Sequence, residues 1–221
     1  MATGTLKWLL MRSLNEIDAM LQKASKGAGL SVGLAEDIGR AGAWLAARGH
    51  DGVRAVLTAI RGGISLPVPL LPLKDRGIVV FKGACIAVCG PSVIDILTGD
   101  GNTDEVRLIN VDSPLLIIGL AGVASQNYGL EMTIGFGNGS KATLSSGNLV
   151  LSGSMPAAGT DVLITCRKLG YTTPKARIEG RGVVVDEEIW REVKALAART
   201  YVPSSEASRA RGAGAGMVDN D

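Results

Sequence analysis

The chain has 221 residues, 46% of them hydrophobic, and a net charge of +2, enough for one substantial core or a core with a smaller appendage. That balance excludes a disordered composition, and so small a charge argues against nucleic acid or a membrane surface as a partner. Aromatic residues make up only 4% against 30 glycines, so the interior must fill with Val, Ile, Leu and Ala, with backbones approaching closely at glycine.

Residues 1–12 read as a non-native or flexible extension. Their apolar patch at Trp8, Leu9 and Leu10 is too short for a secretory signal, and Met11 is an alternative start. Ser13-Leu-Asn-Glu16 is a capping box that opens a first helix, with Leu14, Ile17, Leu21 and Ala24 at helical spacing and Gly27 or Gly29 as its stop. A second helix is predicted from Ser31 to Arg48 on Leu34, Ile38, Ala41 and Leu45. A third, short one is capped by Asp51 and buries Val53, Val56, Leu57 and Ile60. Residues 13–63 thus form a helical layer.

Pro67, Pro69 and Pro72 in the stretch Ser65–Lys74 mark an extended linker and the main boundary. From Gly77 the pattern predicts strands over Ile78–Phe81, Cys85–Cys89, Glu105–Val111, Leu115–Ala124, Leu130–Phe136, Ala142–Leu144, Asn148–Leu151 and Val162–Cys166. Hairpin-type turns at Asn127-Tyr-Gly129, Gly137-Asn-Gly139 and Ser146-Gly-Asn148 imply a largely antiparallel, meander- or sandwich-like sheet. The uncharged run from Ser113 to Leu130 contains Pro114, Ser125, Gln126 and Asn127, which argues against a membrane span. Asp186 caps a final helix carrying Ile189, Val193, Leu196 and Ala197, expected to pack on the sheet within a β-rich domain over 77–203. Residues 204–221 are a tail. The fold class is α+β.

Chemistry-bearing side chains are scarce. Between Ser113 and Cys166 only Glu131, Lys141 and Asp161 are charged, and His50 is the single histidine. Cys85, Cys89 and Cys166 are an odd set in a long chain, which points to reduced thiols in a cytoplasm rather than a disulfide framework. Zinc would need four ligands, so Cys85 and Cys89 read as buried structural thiols. Asp100-Gly-Asn-Thr-Asp104 begins like a calcium loop, but Glu105 stands where the sharp-turn glycine belongs and Val111 where a bidentate glutamate belongs. Gly135-Phe-Gly-Asn-Gly-Ser-Lys141 lacks the order of a phosphate loop and reads as a hairpin.

Arg167, Lys168, Lys175, Arg177 and Arg181, with Glu179 the only acid among them, make the one segment suited to gripping a carboxylate or phosphate. At the C-terminus Asp219 and Asp221 are weak candidate oxygen ligands for a cation, against the plainer reading of a solvated end.

Two resemblances follow. Asn15 to about Ile60, with Lys26-Gly-Ala-Gly-Leu-Ser-Val-Gly-Leu-Ala-Glu36 and Arg48-Gly-His-Asp51, resembles the N-terminal helices of the malate/lactate/ureidoglycolate-type NAD(P)-dependent oxidoreductases. That family continues with Ser-His-Gly, whose histidine is catalytic. Here Gly52-Val53 follow Asp51, and His50 matches a non-catalytic position. Ser13-Leu-Asn-Glu-Ile17, Gly27-Ala-Gly-Leu-Ser31, Gly33-Leu-Ala-Glu36, Arg199-Thr-Tyr-Val-Pro203 and the Gly212–Asp221 ending together are similar to an uncharacterised family of alphaproteobacterial proteins.

The expected function is an accessory protein that binds a small anionic molecule. A metabolic enzyme degenerate from those oxidoreductases, or a structural subunit of a hetero-complex, are the alternatives. No cofactor is named by the sequence, and its Gly/Ala-rich apolar stretches suit a homo-oligomer.

Overall fold

The computed structural model describes residues 9–62, 64, 73–75, 78–83, 85–99, 103–156, 158–168 and 182–201. After the short strand β1 (Leu9–Arg12) come α1 (Leu14–Gly27), α2 (Val32–Ala46) and α3 (Gly52–Ile60), where the apolar periodicity predicts them. Ser13 Oγ accepts from Glu16 N at 3.1 Å and caps α1. Glu16, however, turns to Arg12 at 3.2 Å, which leaves the box half closed. β2 (Leu73–Asp75) and β3 (Ile78–Lys82) precede α4 (Ile86–Thr98), β4 (Glu105–Val111) and α5 (Pro114–Tyr128). A run of strands follows: β5 (Leu130–Phe136), β6 (Lys141–Ser145), β7 (Asn148–Ser152), β8 (Thr160–Lys168) and β9 (Val183–Asp186). Helix α6 (Glu187–Ala198) is the last element.

Two predicted strands are helices. Cys85–Cys89 begins α4, and Leu115–Ala124 is the body of α5. α5 is buried on nearly every side and shows no one-sided stripe, while the predicted piece of α4, Cys85–Cys89, stops short of Pro91 and of the exposed Ser92 and Asp95 that mark its polar face. Asn127-Tyr-Gly129 is accordingly the end of α5 rather than a hairpin turn, with Gly129 left-handed at φ 63°.

The main sheet runs β2-β3-β4-β8-β5-β6-β7, antiparallel throughout except where β3 and β4 lie parallel across α4. It is no simple meander, because β8 inserts between β4 and β5. Val106, Leu108, Met132, Ile134, Ala142, Leu144, Val162 and Ile164 point from the sheet into one buried cluster shared with α1–α6. The opposite face carries the exposed Arg107, Lys141 and Arg167 and the half-buried Thr133, Thr143 and Thr165. Helix α6 takes a different seat from the one expected. It packs chiefly on α1 and α3 and follows directly from β9, because α4 and α5 hold the helix side of the main sheet. β9 pairs with β1 in a separate two-stranded ribbon. The linker predicted over residues 65–74 lies outside the described residues up to β2.

Candidate functional site

The α2–α3 turn and β9 face each other across a cleft of about 510 Å³. The turn is built by Gly49 at φ 77°, by His50 N donating to Leu45 O at 3.1 Å, and by Gly52 N donating to His50 O at 2.8 Å. Asp51 then caps α3, accepting from Arg54 N at 3.0 Å and from Arg54 Nε at 2.8 Å. On the opposite wall Val183, Val184 and Val185 lead into Asp186, which accepts from Glu188 N at 2.9 Å and caps α6. Two helix N-termini therefore converge on one cleft, each already answered by an aspartate.

His50 sits half-buried in this turn. Burial first, and the positive Arg48 second, push its pKa below the ordinary histidine value, so at neutral pH it is an uncharged imidazole offering one donor and one acceptor. Among the described residues that line the cleft there is no serine, threonine or cysteine. The hydrogen bond and charge of Asp51 hold Arg54 in its cationic form. The cleft thus supplies an imidazole, a guanidinium, carboxylates engaged in caps, and an apolar wall including the buried Val53 and Val185. Such a mixture suits binding of a small molecule by orientation.

Of the residues singled out by sequence, Arg167 and Lys168 are exposed at the end of β8, in register with Glu131 and Leu130 of β5. Among the described residues neither forms an ion pair. Lys175, Arg177, Arg181, Asp219 and Asp221 lie outside the described residues. Sequence reasoning passed over Arg107, which borders a hollow of about 380 Å³ on the open sheet face beside Gly135 and Asp161. Its alternation with buried Val106 and Leu108 was the available signal.

The three cysteines are free thiols, Cys89 and Cys166 buried and Cys85 partly so. Cys85 precedes α4, with its Sγ 4.0 Å from Ala59 O, while Asp112 Oδ1 accepts from Ile86 N at 3.0 Å at the start of the same helix. Burial and the neighbouring Asp112 push Cys85 up to about 11. Burial, Cys85 and Asp112 push Cys89 up to about 12, so both remain protonated at neutral pH. Among the described residues no group of three or more His, Cys, Asp or Glu side chains could hold a metal ion. No described helix is long and apolar enough to cross a membrane.

Residues 12–128 match a family described as protein of unknown function, DUF3726, and the chain belongs to it. No curated protein matches. The fold is similar to a malate dehydrogenase from Entamoeba histolytica at TM-score 0.48 and 14% identity, covering 85% of this chain and 62% of that one. It is similar also to a malate dehydrogenase from Pyrococcus horikoshii OT3 at TM-score 0.44 and 12% identity, covering 69% of this chain and 52% of that one. The chain spans less than two thirds of the length of either, and the likeness carries no residue role to it.

Proposed function

We propose that this protein binds a small anionic molecule in the cleft between the α2–α3 turn and β9. The observation that carries the reading is the convergence of His50, Arg54 and two capped helix N-termini on a space of about 510 Å³. That volume is of the size that holds a metabolite. Arg54 supplies the planar cation, neutral His50 a hydrogen bond, and the valines of β9 an apolar wall. The basic segment leads into the same wall, since Arg177 and Arg181 come six and two positions before Val183 in the chain. Asp51 and Asp186 do not oppose an anion as free carboxylates would, because each accepts hydrogen bonds from a helix N-terminus.

The single histidine makes a clean test. Proton NMR of the His50 imidazole, with phosphate, di- and tricarboxylates and nicotinamide nucleotides added in turn, should show a saturable shift with one class of anion. Arg54→Ala, and separately Arg177→Ala with Arg181→Ala, should each weaken that titration by about tenfold or more. If no anion moves the His50 signal, or if these substitutions leave the affinity unchanged, the reading is wrong. Saturation by a nicotinamide nucleotide alone would favour an oxidoreductase relative instead.

A further inference from the structure

The main sheet has two ends, and they are built differently. At one end β2 is only three residues long and its sequence holds Lys74 and Asp75, the short and charged kind of edge that resists pairing. At the other end β7 reads Asn148-Leu-Val-Leu-Ser152, with no charge and no proline, inside a stretch without any charged residue between Lys141 and Asp161. Among the described residues nothing pairs with its outer edge. Val150 is 65% exposed and Leu151 38%.

This strand is also held firmly in place. Ser146 and Gly147, at φ 48° and 85°, make the two-residue turn that matches the twist of a hairpin. Arg48 donates to Gly147 O at 2.8 Å, and Gly147 N donates to Ser125 Oγ at 3.2 Å. The turn and the register fix which backbone groups are free. Ser145 opposite Asn148 is a hydrogen-bonded pair, and so, two residues on, is Thr143 opposite Val150. The N–H and C=O of Val150 therefore point inward to β6, while those of Leu149 and Leu151 point outward, off the sheet.

We propose that β7 is a dimer seam, at which a second copy of this chain pairs its own β7 antiparallel about a two-fold axis through Val150. The pattern of the strand is what such an axis demands, because it reads polar-Leu-Val-Leu-polar in both directions. Asn148 falls opposite Ser152 and Leu149 opposite Leu151, and Val150 meets itself. Each Leu149–Leu151 pair exchanges both of its N–H···O bonds through the groups that point outward. Val150 meets Val150 as a non-hydrogen-bonded pair with Cα atoms about 4.5 Å apart, the spacing at which side chains touch most closely. Leu149 and Leu151 stand on the face of buried Leu144 and Ala142, so their contact extends the layer that the helices cover. No like charges meet. The edge at β2 does not match β7, so the pairing closes at two copies and does not grow into a fibre.

The test uses the full chain. Light scattering from low to high micromolar concentration should give twice the chain mass of 22.8 kDa. Val150→Lys, which sets two cations on the axis, should give the single-chain mass with an unchanged circular dichroism spectrum. Val150→Cys, mildly oxidised, should form a covalent dimer on a non-reducing gel. The native chain, with Cys85, Cys89 and Cys166, should not. A native chain of single mass at every concentration overturns the proposal, as does a dimer that Val150→Lys leaves intact. Should Val150→Lys fail to fold, an oxidised Val150→Cys without the cross-link overturns it equally.

Discussion

Arg48 joins the helices to the sheet through one side chain. Its guanidinium lies 3.6 Å from the centroid of the Trp44 ring and donates to Trp44 O, Gln126 Oε1 and Gly147 O. Burial pulls its pKa down to about 10, which leaves it a cation at neutral pH. A lysine would keep the charge but lose the planar stack and the forked donors. Arg48→Lys should therefore cost about 1 to 3 kcal/mol in urea unfolding. His50, two residues on, has the opposite pH behaviour from a salt-bridged histidine. Its folded pKa is depressed, so the unfolded chain takes up the proton first, near pH 6.5. The contribution of the neutral ring is whole above about that pH and is lost as pH falls towards the folded value. Relative to the native chain, His50→Asn should gain stability as pH falls below about 6.5, read from denaturation midpoints at each pH.

At the scale of the element, α5 is the buried axis of the fold, and glycine lets it pass close to α2. A Cβ on Gly122 would lie 2.4 Å from the ring atoms of Trp44. Trp44 cannot swing aside, because its Nε1 donates to Gln126 Oε1 at 3.0 Å and Arg48 covers its face. Gly122→Ala should destabilise by about 1 to 3 kcal/mol despite its better helix propensity, measurable as a lower thermal midpoint. The same burial explains why α5 reads as a strand in the sequence. Ile117, Ile118, Gly119, Leu120 and Ala121 are buried in succession, which leaves no polar face to reveal a period of 3.6. Pro114 at the first turn and Gly129 after the last residue were the available helix signals. In α4 the internal Pro91 argued the other way.

Across the whole molecule, one apolar cluster runs from Ile17 and Leu21 in α1 through Leu116 and Ile117 in α5 to Met132 and Ile164 in the sheet. Helical layer and sheet should therefore unfold together. Far-ultraviolet dichroism and the fluorescence of buried Trp44 and Trp190 should trace coincident urea transitions, whereas separated transitions would mark the helical layer as an independent unit. What local chemistry controls was legible along the chain. Ser13, Asp51 and Asp186 start their helices by side-chain hydrogen bonds within three residues, and Ser146-Gly147 marks its hairpin as a two-residue turn between apolar runs. That α4 and α5 are helices, that β8 slides between β4 and β5, and that β9 meets His50 across a cleft emerged from the folded chain. Each of these rests on contacts between residues far apart in the chain, where burial on all sides erases the local pattern and pairing is chosen by the partner surface.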